Sequence, residues 1–149
     1  MAQDAIALLE ADHQRVEGLF REFKSAGSDP AVKLPLAQVI CMELTLHAMV
    51  EEEIFYPAYR DAVRSKSDKQ LFYEAKVEHH VVDLVLPEVN DDDKGGEEFA
   101  AKAKVLKELV EHHADEEEKE MFPKARKVLS RAELLELGER LQQRKQELM

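Results

Sequence analysis

A single cysteine, Cys41, stands in a chain of 149 residues, so neither an internal disulfide framework nor a multi-cysteine zinc or iron–sulfur site is available. A reducing, cytoplasmic setting is the expectation. Basic residues are also scarce. Lys and Arg number 21 against 32 Asp and Glu, a formal net charge of −11. That balance disfavours phosphate backbones and anionic lipid surfaces, so neither nucleic acid nor membrane is an expected partner. No uninterrupted apolar run approaches the roughly 18–20 residues of a membrane span. The start, MAQDAIALLEADHQ, lacks the basic-then-apolar order of a secretory signal. Alternation at period two is absent over any useful length, which argues against strands.

The hydrophobic share of 44% and charged share of 36% are those of a globular chain, and the length suits one domain over residues 1–149. Helical spacing is the dominant pattern. Ile6, Leu9, Val16, Leu19, Phe20 and Phe23 recur at intervals of three and four. So do Val39, Ile40, Leu44, Val50 and Ile54; Phe72, Val82, Val85 and Leu86; and Val105, Leu106, Leu109 and Val110. The expected helices cover about 3–26, 32–65, 68–89 and 97–129. The runs around Gly27 and across 91–96 read as loops. Pro57 and Pro123 fall inside helical patterns and should kink or end them. Ser130-Arg131-Ala132-Glu133 has the form of a capping box and opens a short fifth helix within 130–149. Its Leu134, Leu135, Leu137, Leu141 and Leu148 either pack over the end of the bundle or form a dimer contact, so the expected state is monomer or homodimer. The fold class is all-α: an antiparallel up-down-up-down four-helix bundle with a C-terminal fifth helix. The acidic loop at 91–96 fails as an EF-hand, because Lys102 stands where a bidentate Glu is required.

An internal repeat carries the chemistry. The segment from His47 through Glu51 and Glu52 to Pro57 aligns with that from His113 through Glu117 and Glu118 to Pro123, an offset of 66 residues. The same offset carries His13 onto His79, with Asp12 falling on Glu78, and sets Tyr56 opposite Phe122. Residues four apart share one helical face, so His47 points with Glu51 and His113 with Glu117. Each of these histidines interrupts the apolar stripe of its helix. Two carboxylates in a bundle core are costly unless cations lie between them. Four neutral imidazoles and two bridging carboxylates suit two first-row metal ions, each taking two His and sharing both Glu. The candidate ligands are therefore His13, His47, Glu51, His79, His113 and Glu117. His80 and His112 sit one residue from better placed histidines. Glu52, Glu53, Glu116 and Glu118 read as solvated or as partners of ligands. Tyr56 and Phe122 read as packing residues, with Tyr56 able to donate a hydrogen bond inward.

These residues resemble the hemerythrin-like family, the HHE cation-binding domain, over about residues 5–128. The features that match are His13, His47-x-x-x-Glu51 ending in Phe55-Tyr56-Pro57, His79, and His113-x-x-x-Glu117 ending in Phe122-Pro123. The resemblance implies a non-haem di-iron centre, oxo- or hydroxo- and carboxylate-bridged, that meets O2, NO or peroxide. Zinc or manganese is the weaker expectation. One departure is visible. Oxygen-carrying members place two His four apart on the third helix, whereas this chain has Asp83 and Ala75 on either side of His79. Asp83 or Glu17 could supply a further ligand. Three functions follow from these readings: a di-iron protein that binds or senses O2, NO or iron; a di-iron enzyme acting on peroxide or NO; and a metal-free helical interaction protein.

Overall fold

The structure, a computed structural model, describes residues 3–149, and among them there are helices but no strands. Helix α1 (Ala5–Ser25) starts where the Asp4 carboxylate accepts the Ala7 N–H at 2.8 Å. Helix α2 (Pro30–Ala62) is capped by Asp29, with Pro30 at a first-turn position that has no use for an N–H. Helix α3 (Lys66–Asn90) is capped by Ser65 and ends at the 91–96 loop. In that loop Asp92 accepts from the N–H groups of Lys94 and Gly95, and Gly95 takes φ +67°, a conformation that favours glycine. Helix α4 spans 97–128, and α5 (Arg131–Leu148) opens with the expected capping box between Ser130 and Glu133. The elements form the bundle expected from periodicity, with boundaries shifted by at most three residues.

Pro57 and Pro123 neither end nor break their helices. A proline ring clashes with the carbonyl four residues back in an α-helix. Here the turn just before each proline is widened into a π-turn, over Glu51–Phe55 and Glu117–Met121. The Tyr56 N–H donates to the Glu51 carbonyl and the Phe122 N–H to that of Glu117, five residues back in each case. The two π-turns obey the 66-residue offset and begin at the two candidate bridging carboxylates.

By length and composition α2 could cross a membrane, its best window reaching a mean hydropathy of 1.2. In this fold it is a core helix that buries Ala37, Ile40, Cys41, Leu44 and Val50. Helix α5 packs on α1 and α2 and buries Leu134, Leu137 and Leu141 among Ile6, Leu9, Phe55 and Ala125. Its leucine stripe packs over the end of the bundle, one of the two expected roles.

The core falls into two apolar halves. One holds Ile6, Leu9, Val50, Phe55, Phe72, Met121 and Leu141. The other holds Val16, Phe20, Ile40, Leu44, Phe99 and Leu106. His13 lies between Leu9 and Val16 on α1, and His47 between Leu44 and Val50 on α2. The site is thus a polar layer between the halves, its histidines filling positions where the stripes would otherwise continue.

Candidate metal centre

All six sequence-assigned residues converge in this layer. His47, Glu51, His79, His113 and Glu117 are buried, the two carboxylates with 0% and 2% of their surface exposed, and His13 is partly buried. Glu51 Oε1 lies 3.2 Å from both His47 Nε2 and His79 Nε2. Glu117 Oε1 lies 3.1 Å from His13 Nε2 and 3.5 Å from His113 Nε2. His79 Nε2 and His113 Nε2 are 3.1 Å apart. Two donor groups result: His13, His47, Glu51 and Glu117, and Glu51, His79 and His113, each with its ligand atoms within 4.8 Å of one another. Glu51 is common to both.

Several buried donor and acceptor atoms here have no hydrogen-bond partner among the described residues: His47 Nε2, both oxygens of Glu51, and His79 Nδ1. Buried polar atoms are seldom left in that condition, because each forfeits its hydration without return. A cation coordinated by imidazole nitrogen and carboxylate oxygen satisfies three of the four at once. The donor set fits metal ions.

Acidic side chains back the outward face of three histidines within hydrogen-bonding distance. Asp12 Oδ2 is 2.8 Å from His47 Nδ1, and Glu78 Oε1 is 2.7 Å from His113 Nδ1. Glu118 Oε2 is 3.3 Å from His13 Nδ1, while Glu52 Oε2 stands off at 3.7 Å from His79 Nδ1. Each pairing maps onto its counterpart by the 66-residue offset. A carboxylate on Nδ1 holds the ring so that Nε2 faces inward, and it strengthens that nitrogen as a ligand. Asp12 and Glu78 had no role assigned from the sequence. The available clue was an acidic residue directly before the first-helix histidine in both repeats. Asp12 is also gripped by Lys145 of α5, whose Nζ is 2.6 Å from both carboxylate oxygens.

The two carboxylates titrate in opposite directions. Burial opposes the charge on Glu51, but the charge of the adjacent His47 imidazole outweighs it and holds Glu51 well below the usual range. Burial, and then the charge of Glu51, push Glu117 up. Burial alone would lower the two second-helix histidines of the repeat. Instead Glu51 and Asp12 raise His47 to about 10, and Glu117 and Glu78 raise His113 to about 9. Without metal, then, protons on His47 and His113 compensate the buried negative charge.

The pseudo-symmetry breaks at Tyr56 and Phe122. The Tyr56 hydroxyl donates to Glu117 Oε2 at 2.6 Å and lies 3.1 and 3.0 Å from the Nε2 atoms of His79 and His113. Its counterpart Phe122 stacks on His13, with centroids 5.9 Å apart and planes 11° apart. The π-turn accounts for Tyr56. Five residues along an α-helix rotate by about 140°, which would carry Tyr56 away from Glu51; the widened turn keeps both near one face. The His79/His113 group therefore has an additional oxygen that the His13/His47 group lacks. Burial and the nearby carboxylates push the phenol well above its usual value, so it keeps its proton.

A cavity of about 240 Å³ reaches the layer. Val16, Phe20, Leu44, Val82, Leu86 and Val110 form its apolar wall. Glu17 and Asp83, expected as possible further ligands, belong to neither donor group. Both are exposed and line this cavity, and Glu17 is paired with Arg21 at 3.1 Å. Their positions fall past the histidine level of α1 and α3, where the side chains meet solvent. His80 and His112 are exposed; His112 pairs with Glu116 at 3.0 Å. Glu53 forms a two-point contact with Arg144 at 3.1 Å, tying α5 to α2.

Comparison with known proteins agrees with this architecture. The family model described as the hemerythrin HHE cation binding domain matches residues 4–125. The crystal structure of an HHE cation binding domain-containing protein from Mycobacterium kansasii, a homolog of Rv2633c, superposes with a TM-score of 0.83 at 28% identity. The match covers 97% of this chain and 86% of that one. The uncharacterized protein Rv2633c of Mycobacterium tuberculosis is 27% identical over 146 residues, 97% of this chain and 87% of its own length. A DNA nickase of Nostoc sp. is 28% identical over 128 residues, 86% of this chain but only 34% of the nickase. With the family model matching most of its length, the chain belongs to the hemerythrin HHE cation-binding family.

Proposed function

We propose that this protein is a non-haem di-iron protein that binds or senses a small neutral molecule, O2 or NO. The observation that carries the reading is the pair of buried His/Glu groups sharing Glu51 at the inner end of an apolar-walled cavity. His13 and His47 would hold one ion, His79 and His113 the other, with Glu51 and Glu117 between them. Two iron ions bound there would supply reversible redox and ligand-binding chemistry. The chain's own contribution is to fix the imidazoles from outside through Asp12, Glu78 and Glu118, and to admit small neutral molecules along an apolar path.

A second reading, an enzyme acting on peroxide or NO, is favoured by Tyr56. Its hydroxyl is a protonated group among the ligand atoms, placed to hydrogen-bond an oxygen or nitrogen bound nearby. The two readings separate by experiment. Anaerobic iron-loaded protein is exposed to O2, NO or hydrogen peroxide and followed by absorption and gas release. A stoichiometric, reversible spectral change with O2 or NO supports the binder. Sustained oxygen release from peroxide, or sustained NO consumption, that falls in Tyr56→Phe supports the enzyme. No response to any of the three refutes both.

A further inference from the structure

Helix α3 has two apolar faces where a bundle helix needs one. Its inner face buries Phe72, Ala75, His79 and Val89. Its outer face presents Tyr73, Val77, Val81 and Leu84, which are 54%, 61%, 37% and 61% exposed. Their spacing of four, four and three makes a continuous ridge along the helix. Soluble monomers seldom leave such a ridge uncovered.

The charges at the ends of this ridge say what covers it. Lys66 and Lys69 lie exposed at its N-terminal end, and Glu88 and Asp91 lie exposed at its C-terminal end. Advancing about 100° per residue, Lys66 and Asp91 fall within about 20° of Tyr73 and Leu84, with Lys69 and Glu88 flanking them. This polarity runs against the helix macrodipole, which favours acids at the start and bases at the end. The arrangement therefore does not serve α3 alone.

We propose that this face binds a second copy of the chain, with the two α3 helices packed antiparallel about a two-fold axis. About a midpoint between Glu78 and His79, Tyr73 stands level with the partner's Leu84. Lys69 stands level with the partner's Glu88, and Lys66 with the partner's Asp91. Every contact occurs twice, as an isologous interface requires. A parallel pairing would set lysines against lysines and acids against acids. Glu88 already has an intramolecular partner, Lys102 at 3.4 Å, so the second lysine would make a shared ion pair.

Sedimentation equilibrium of the full chain from micromolar to millimolar concentration tests this. The wild type is expected to dimerise with concentration, and Val77→Glu or Leu84→Glu to remain monomeric while keeping the helical circular dichroism of the wild type. Lys69→Glu alone should weaken the dimer about tenfold, since each symmetric interface then holds two repulsive pairs. Adding Glu88→Lys to the same chain should restore it, because the swapped charges meet again only across an antiparallel contact. A wild type that stays monomeric throughout overturns the proposal. So does a dimer indifferent to Val77→Glu and Leu84→Glu, or a double swap no better than the single one.

Discussion

In the metal-free protein His47 and His113 hold protons that any metal ion binding there would have to displace. His47 is raised to about 10 and His113 to about 9, both above the ordinary imidazole value of 6.5. Their stabilisation of the metal-free fold is complete below about pH 6.5 and is lost as pH rises through 9 and then 10. A group titrating in that window removes about 1.4 kcal/mol per pH unit, which for a domain of this size lowers the melting midpoint by roughly 3–6 °C per unit. Metal binding has the opposite slope, because only the neutral imidazole is a ligand. Each displaced proton raises the apparent affinity about tenfold per pH unit, and this continues to about pH 9, whereas ordinary imidazoles would flatten above about pH 7.5. Isothermal titration calorimetry with Zn²⁺, in buffers of different ionisation enthalpy at about pH 7, counts the protons directly. About two protons are expected to be released as the site fills, one from each histidine. A count near zero would show that both are already neutral and that the buried carboxylates are compensated in some other way.

Removing the carboxylate behind a ligand should weaken one position more than the other. Asp12→Asn is expected to lower affinity about 10–100-fold at the His13/His47 position and Glu78→Gln to do so at His79/His113, read from stepwise metal titrations. Gly138→Ala should destabilise the fold by about 1–3 kcal/mol in a denaturant titration. A Cβ there would strike the Gln3 carbonyl and come within 3.1 Å of the Ala5 nitrogen, pushing α5 off the start of α1. His80→Ala and His112→Ala should leave metal content unchanged in elemental analysis, since both side chains face solvent.

Apolar periodicity and loop punctuation were enough to read the bundle, because each helix buries one stripe and the pattern repeats at a fixed offset. The convergence of the six candidate side chains was legible for the same reason: polar residues that interrupt an apolar stripe, twice over, in register. What could not be read was set by local backbone and by neighbouring helices. The inward hydrogen bond expected of Tyr56 is present, to Glu117, but the device behind it is hidden: a helical wheel at constant pitch sends Tyr56 away from Glu51, and the π-turn ahead of Pro57 keeps them together. Asp12 follows His47 in space but precedes His13 in sequence, pointing from α1 across to α2, so its role appears only once the helices are packed. Glu17 and Asp83 lie one turn past a candidate histidine, a spacing that suits a ligand, yet they stop at the exposed rim of the cavity.

If one chain holds two ions between its six side chains, elemental analysis of tag-free protein, wild type beside Glu51→Ala/Glu117→Ala, will show it. About two metal ions per wild-type chain are expected, lost in the variant while the helical circular dichroism persists. A folded wild type that takes up no metal from iron, zinc or manganese, or a variant that keeps both ions, would contradict it.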